Sequence, residues 1–204
     1  DSFGRCIYCG SDGGDDGLTE EHIIPFSLGG GVILSEASCR ACNGKISFIE
    51  GYCARKMFEI KRLRGGYPTR RPKERRTTMP MTFTIDGRKE TFEVPISDHP
   101  TILVMPHFQL PGVLRGLSPA TTWDDATLVG SAPKLTSITG ADSLAVSISI
   151  NFRTFTRLLA KIAHGLAVLR YGVEGFRPLL IKHILEDDPY APYWIGGAPT
   201  IAPS

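Results

Sequence analysis

The sequence predicts an α+β protein in three parts: an N-terminal module at residues 1–66, a basic linker or arm at 67–78, and a small α+β domain at 79–204. Three observations lead to this prediction. Two C-x-x-C pairs lie near the N-terminus, apolar residues recur at helical spacing after the second pair, and residues 81–96 have the pattern of a β-hairpin. We expect the C-terminal domain to combine antiparallel strands with one long amphipathic helix.

The composition is that of a folded globular protein. Of the 204 residues, 42% are apolar and 22% are charged, which is typical of globular domains rather than disordered chains. No apolar run reaches the roughly 18 residues of a membrane-spanning helix. The first residues also lack the pattern of a signal peptide. These features predict a cytoplasmic protein with no membrane span.

Positive charge is concentrated between residues 55 and 76. This segment has ten Lys and Arg residues against two Glu residues, a local net charge of +8 in a chain whose net charge is +2. Such a block suits a polyanion such as nucleic acid, although a solvated basic linker has the same composition. The candidate nucleic-acid-binding residues are its basic side chains: Arg55, Lys56, Lys61, Arg62, Arg64, Arg70, Arg71, Lys73, Arg75 and Arg76.

Four of the five cysteines form the two C-x-x-C pairs, which are separated by 29 residues. Thiolates at this spacing can reach one tetrahedral ion, so the pairs predict a structural Zn²⁺ site rather than a disulfide scaffold or a redox pair. The predicted zinc ligands are Cys6, Cys9, Cys39 and Cys42. Cys53 is left over, and we expect it to be a buried thiol.

Short elements are predicted around the two pairs. Residues 11–17 form a turn, and residues 18–25 and 32–34 form short strands on either side of a glycine loop. A helix is predicted from Cys39 to about Arg64, where two glycines end it. Its buried face is expected to contain the apolar residues at three- and four-residue spacing: Ile46, Ile49, Cys53, Met57, Ile60 and Leu63.

The C-terminal part is predicted to contain a hairpin turning at Asp86-Gly87, strands at residues 101–105 and 144–150, and a helix at 152–171 capped by Asn151. A last short helix is predicted at 179–186. The apolar face of the long helix is expected to be buried, and it comprises Phe155, Leu158, Leu159, Ile162, Leu166 and Leu169. The basic row at i, i+4 and i+8 is expected to be solvated, and it comprises Arg153, Arg157 and Lys161. Four histidines have no ligand spacing and receive no role: His99, His107, His164 and His183.

A Glu21-His22 dyad lies between the cysteine pairs, and Asn43 directly follows the last cysteine. At C-x-x-C, E-H-I-I-P, L-G-G and C-x-x-C-N the chain resembles the HNH endonucleases, which are ββα-metal nucleases, and in particular their zinc-containing treble-clef branch. The resemblance covers residues 5–52 and is looser beyond them. It implies a treble-clef zinc/ββα-metal module that hydrolyses phosphodiester bonds in nucleic acid, with DNA favoured over RNA.

The resemblance also implies roles for the residues between the pairs. His22 corresponds to the general base, and Glu21 and Asn43 correspond to the ligands of a catalytic Mg²⁺ or Mn²⁺. The chemistry is consistent with these roles, since a histidine can accept a proton near neutral pH and oxygen donors suit these ions. Lys45 is either a contact to the scissile phosphate or an ordinary exposed lysine.

The chain departs from the family pattern at two positions. The middle Asn, which in the family mainly braces the loop holding the histidine, would fall at Leu34, and Glu21 replaces a commoner Asp. The alternative function is a non-catalytic zinc-binding treble-clef module that binds DNA or protein, which would not need Glu21, His22 and Asn43 together. The C-terminal domain is expected to govern substrate choice, contacts with a partner protein, or formation of a homodimer.

Overall fold

A computed structural model of the chain describes residues 2–118, 125–131, 141–145, 151–186 and 190–197. This part of the chain is mixed α/β, and every pairing between its strands is antiparallel. β1 pairs with β2, β3 lies between β4 and β7, and β5 pairs with β6. The strands are β1 (Leu18–His22), β2 (Ile33–Cys39), β3 (Thr78–Ile85), β4 (Arg88–Pro95), β5 (Thr101–His107), β6 (Asp125–Ser131) and β7 (Ala141–Ala145).

Two long helices and three short ones accompany the strands. They are α1 (Arg40–Tyr52), α2 (Glu59–Arg64), α3 (Phe152–Tyr171), α4 (Ile181–Leu185) and α5 (Ala191–Trp194). Within the described residues, none of the helices combines the length and the hydropathy needed to cross a membrane.

The helix predicted from Cys39 to Arg64 is interrupted in the structure. After α1, residues Cys53–Met57 form a π-helical turn, and the Phe58 N–H donates to the Cys53 carbonyl at 3.0 Å. Phe58 then leaves helical geometry with φ −117°, and its ring packs against Phe155 of α3 at 6.2 Å. A π-turn inserts an extra residue into the ladder, so α2 begins with a changed register. The predicted buried face is confirmed at Ile46, Ile49 and Cys53, whereas Met57, Ile60 and Leu63 are only partly buried.

The strand predictions are confirmed with small changes of length. β1 and β2 lie where short strands were expected, and β2 extends to the second cysteine pair. The β3–β4 hairpin turns at Asp86-Gly87, whose φ values of 48° and 73° are those that the favoured two-residue hairpin turn requires. The strand predicted at 101–105 lies within β5. Of the strand predicted at 144–150, residues 146–150 lie outside the described residues.

The bounds and the cap of α3 are confirmed, whereas the prediction for its faces is only partly confirmed, since Leu158 is buried and Arg153 is exposed as expected. The Asn151 side chain accepts a hydrogen bond from the Thr154 N–H at 3.1 Å. However, Leu166 and Leu169 are each 52% exposed, whereas Arg157 and Lys161 are buried. Two of the three cations that were expected to be solvated therefore face the core. This burial is possible because carboxylates and backbone carbonyls of other elements bind the two cations.

One apolar core joins the N-terminal module to α3 and α4. It contains residues from the first cysteine pair, β1, β2 and α1 together with Leu158, Val168 and Ile184. The β3–β4–β7 sheet has a separate small cluster around Phe83. An independently folded domain at 79–204 stays a prediction, but α3 and α4 share the core of the module rather than a core of their own.

Candidate active site

Four cysteine thiols lie together in the N-terminal module. Two lie in the turn before β1, one ends β2 and one lies in the first turn of α1, and their Sγ atoms all lie within 4.8 Å of one another. The Sγ atoms of Cys9 and Cys39 are 3.6 Å apart. Zinc–sulfur bonds of about 2.3 Å place tetrahedral sulfurs about 3.8 Å apart. The four predicted ligands, Cys6, Cys9, Cys39 and Cys42, therefore fit a structural zinc ion.

The environment of these thiols differs from one to the next. Burial raises the pKa of Cys39, but the backbone N–H of Cys42 and the neighbouring sulfurs outweigh burial and lower this pKa to about 7. At Cys42, burial and the charge of Cys6 raise the pKa instead. Metal binding must therefore displace protons from some of the thiols, which makes the affinity of such a site depend on pH.

The two residues of the dyad lie in different surroundings, on a strand whose pairing with β2 is irregular. Thr19 pairs with Ser38 and Glu21 with Leu34, so the register shifts between these two pairs. Successive residues of a strand point to opposite faces. Accordingly Glu21 is buried in the core, while His22 is half-buried and its ring packs edge-on against Phe26 at 5.7 Å.

Asn43 reaches β1 from the first turn of α1. Its Nδ2 donates to the Thr19 hydroxyl at 3.0 Å, and that hydroxyl donates in turn to the Ser38 carbonyl at 3.0 Å. Its Oδ1 accepts a hydrogen bond from Ser47 at 3.2 Å. The Asn43 amide is thus hydrogen-bonded to Thr19, which lies on the same strand as His22 and three residues before it. Because an amide oxygen has two lone pairs, Oδ1 can accept a further contact, and the ligand role of Asn43 stays a prediction.

Glu21 is bound to a cation of the protein itself. Its Oε1 lies 2.7 Å from Nζ of Lys161, and only 3% of its side chain is exposed. Burial raises the pKa of Glu21, and Lys161 offsets part of that effect. As a metal ligand Glu21 stays a prediction, and it does not fit as the structure stands, because a metal would have to compete with the ammonium group. Among the described residues, the thiol cluster is the one group of three or more His, Cys, Asp or Glu side chains able to share an ion.

The loop that follows His22 is tightly built. Residues Phe26–Leu28 form one turn of 3₁₀ helix that ends at Gly29, where φ is 87°. A Cβ atom at Gly30 would lie 1.8 Å from the Ile24 carbonyl oxygen, so this position requires glycine. Leu34, which stands where the family pattern has Asn, is buried opposite Glu21. Lys45 is exposed on α1.

The basic segment both braces this loop and forms a cavity beside it. Arg62 donates from Nε to the Ser27 carbonyl at 2.6 Å and from Nη1 to the Ala54 carbonyl at 3.0 Å. Ser27 also lines a cavity of about 560 Å³. Six arginines of the segment line the same cavity: Arg55, Arg62, Arg70, Arg71, Arg75 and Arg76. Two of these six, Arg71 and Arg75, also donate to protein groups, as does Arg64 outside the cavity wall.

The structure adds three residues that the sequence reasoning missed. Lys161 contacts Glu21 and also Glu50, whose Oε1 is 2.9 Å from Nζ. Nε2 of His164 lies 2.9 Å from the Ile7 carbonyl oxygen between the first two cysteines, and burial lowers the pKa of this histidine. The helical spacing of Arg157 and Lys161 was the available signal, and it indicated solvent rather than the core.

Comparison with known proteins identifies one match. Residues 6–57 match the model of a family described as HNH endonuclease. This match covers about a quarter of the chain and confirms the resemblance for the segment that contains the thiol cluster, the dyad and Asn43. Neither a curated protein nor a solved structure matches the chain.

Proposed function

Because residues 6–57 match the HNH endonuclease family, we propose that this protein is a metal-dependent endonuclease that hydrolyses phosphodiester bonds in nucleic acid. Double-stranded DNA is the proposed substrate. The observation that carries the proposal is the arrangement between the two cysteine pairs, where a half-buried histidine on β1 and an asparagine on α1 are joined through Thr19. We also propose that the thiol cluster is the zinc centre of a treble-clef, ββα-metal module.

His22 is the proposed general base. It lies on β1 away from the core, and Phe26 limits the orientations of its ring. In this role an imidazole nitrogen takes a proton from the attacking water, which prepares the water to attack phosphorus. The carbonyl of His22 is hydrogen-bonded to Lys161, so the backbone beneath the ring is held from inside the protein.

Asn43 is the proposed ligand of the catalytic Mg²⁺ or Mn²⁺. A bound divalent ion would neutralise charge on the phosphate and on the leaving oxygen. The hydrogen bond from Asn43 to Thr19 fixes its amide relative to β1. Lys45, exposed two residues further along α1, is a proposed phosphate contact.

The arginine-lined cavity is the proposed interface for the nucleic-acid backbone. It begins at Ser27, five residues after His22, and continues along the basic segment. Guanidinium groups suit phosphate because they present a planar set of donors. Arg62 holds the loop through Ser27, while Arg70 and Arg76 are exposed in this cavity. A substrate along this surface would reach the loop that follows the proposed base.

The test is cleavage of plasmid DNA by the zinc-loaded chain in the presence of Mg²⁺. His22→Ala should lower the rate by at least about 100-fold, because general-base catalysis contributes about 10²–10⁴-fold. DNA affinity and zinc content should remain, since a base acts mainly in the transition state. Asn43→Ala should instead raise the Mg²⁺ concentration needed for half-maximal rate, and Mn²⁺ should restore part of the activity.

A matched control is His107→Ala, which removes an exposed histidine of β5 outside the module. It should cut at the rate of the unaltered chain. A His22→Ala protein that retains at least about a tenth of the rate would refute the proposed mechanism. Tight DNA binding without any cleavage by the unaltered chain would support the non-catalytic binding module.

A further inference from the structure

We propose that Lys161 of α3 is a positioning residue that holds the strand carrying His22. The working unit of the enzyme then extends beyond the zinc module and includes α3, 139 residues further along the chain. This inference rests on the proposed function, since it gives His22 a role in cleavage.

The Lys161 ammonium is surrounded by acceptors from two other elements. Nζ lies 2.7 Å from the Glu21 carboxylate of β1 and 2.9 Å from the Glu50 carboxylate of α1. It also donates to the carbonyl oxygen of His22, and to that of Ile23 at 3.1 Å. Only 1% of the Lys161 side chain is exposed. The three N–H groups of one lysine therefore satisfy four acceptors, two of which belong to His22 and its neighbour.

The backbone of α3 lies close to Ile23, the residue that directly follows β1. A Cβ atom at Gly165 would approach Cγ1 of Ile23 to 3.3 Å and Cα of Ile23 to 3.6 Å. One residue earlier, His164 is hydrogen-bonded to the carbonyl of Ile7. Thus α3 is seated against both the His22 segment and the turn of the first cysteine pair, and Lys161 projects between β1 and α1.

This geometry distinguishes two possible roles of Lys161, which are stabilising the fold and positioning His22. A buried cation that loses its partners, or partners that lose their cation, destabilise a protein strongly, so some loss of stability is expected in any case. The two hydrogen bonds to main-chain carbonyls have a second effect besides stability. They fix the peptide groups on either side of Ile23, and hence the orientation of the backbone that carries the His22 side chain. The pair with Glu21 also holds that carboxylate in the core, where it orients β1 rather than binding a catalytic metal.

The experiment compares three variants of the full chain loaded with zinc. Lys161→Met removes the ammonium group with similar volume. The triple variant Lys161→Met, Glu21→Gln, Glu50→Gln also neutralises the carboxylates that the single change leaves buried. Arg157→Met is the matched control, because Arg157 is a buried cation on the same helix that donates to the Ile184 carbonyl of α4. Three quantities are measured: kcat, the Mg²⁺ concentration for half-maximal rate, and the exchange rate of the Ile23 amide, which donates to the Val32 carbonyl at 3.0 Å.

We expect Lys161→Met to lower kcat by about 10–100-fold, the range that small misplacements of catalytic groups produce. The half-saturating Mg²⁺ concentration should stay unchanged. The triple variant should recover stability but not kcat, and Arg157→Met should keep the unaltered kcat. Recovery of kcat in the triple variant, or an unchanged kcat in Lys161→Met, would overturn the inference. A rise in the half-saturating Mg²⁺ concentration in the triple variant alone would also overturn it, because Glu21 would then be a metal ligand.

Failure of the proposed function gives a different result. If the unaltered chain does not cleave DNA, the exchange of the Ile23 amide decides the inference by itself. At equal global stability, set with denaturant, exchange should be about tenfold faster or more in both Lys161 variants than in Arg157→Met, because the local opening is easier. Equal exchange rates in all three variants would overturn the positioning role.

Discussion

Two side-chain clusters hold the N-terminal module, and they are built in different ways. The thiol cluster joins residues 6–42, and its ligands follow a spacing that is recognisable in the sequence. The Lys161 cluster joins β1, α1 and α3, and its members lie at positions 21, 50 and 161. Both clusters hold β1, since this strand lies between the two cysteine pairs in the sequence and also contains Glu21.

The difference teaches what each cluster can do for the proposed site. A metal cluster fixes the ends of a short segment, and its stability comes from metal binding. The ion-pair cluster acts from within the core on individual peptide groups, at His22 and Ile23. The thiol cluster would thus determine whether the module folds. The Lys161 cluster would determine the orientation of the strand that carries His22.

Removal of zinc is expected to have the largest effect. Cys39→Ser, or treatment with a strong chelator, should unfold the module, because structural zinc contributes on the order of 10 kcal/mol of apparent binding free energy in small zinc modules. Zinc analysis together with far-UV circular dichroism measures this loss. The Lys161 cluster should not rescue the fold, since its acceptors belong to the module.

Cys53→Ala is the control, because this fifth cysteine is buried outside the cluster and its sulfur lies 3.9 Å from the Thr154 carbonyl oxygen. Burial raises the pKa of Cys53 to about 12, so it stays a neutral thiol. Its removal should leave one equivalent of zinc per chain. Folded protein with less than about half an equivalent of zinc would contradict the structural role.

The contrast between the clusters also explains how far the sequence could predict this protein. The C-x-x-C pairs, the β3–β4 hairpin and the cap of α3 are local patterns, in which residues a few positions apart determine the geometry. The clustering of the four cysteines, the hairpin and the cap are confirmed, and the zinc ion itself stays a prediction. The burial of Lys161 was not predictable in this way. Its partners are 111 and 140 residues distant, and no periodicity within α3 distinguishes a solvated lysine from one that meets two carboxylates.

The same limit applies to the site itself. The motif placed His22 and Asn43 in one segment, but it could not show that Thr19 is the residue that joins Asn43 to β1. Nor could it show that Glu21 lies in the core, paired with Lys161. The sequence also raised the question of what holds the His22 loop when Leu34 replaces Asn. In the structure, hydrogen bonds from Lys161 and Arg62 to backbone carbonyls hold this region.

A second, smaller effect is expected at the surface, where neither cluster is involved. Arg70→Ala with Arg76→Ala removes two exposed guanidinium groups from the cavity wall. If they bind phosphates, the slope of log affinity against log salt should fall by about 0.9 for each phosphate of duplex DNA that the variant no longer neutralises. Binding titrations over a range of salt concentrations measure the slope. Zinc content and unfolding free energy should not change.

Arg88→Ala with Lys89→Ala is the matched control, because it removes the same charge from the exposed turn end of the β3–β4 hairpin. This control should leave the slope as it is. Equal slopes for both double variants would mean that the basic segment is a solvated linker. A change in zinc content would mean that the cavity wall is not independent of the thiol cluster.

The smallest effect is expected at His164, where the two clusters approach one another. Its ring contacts the rings of Tyr8 and Phe176, with centroid distances of 5.4 and 5.6 Å, and it is hydrogen-bonded to the Ile7 carbonyl of the first cysteine turn. Burial lowers the pKa of His164, so the folded state favours the neutral ring. Its stabilising contribution should be complete above the ordinary histidine pKa of about 6.5 and should be lost as the pH falls below it.

His164→Gln separates this effect from protonation of the thiols. Glutamine can still donate to the Ile7 carbonyl but does not titrate, and Tyr8 stays neutral because burial and then Glu21 raise its pKa well above the ordinary value. Urea unfolding of zinc-saturated protein should therefore show a larger acid-induced loss for the unaltered chain than for the variant, at about one pH unit on either side of 6.5. Equal losses would assign the whole acid sensitivity to the thiols. A larger loss of stability in the unaltered chain would mean that protonation of His164 weakens the packing of α3 against the turn of the first cysteine pair. The two clusters would then be coupled through this helix.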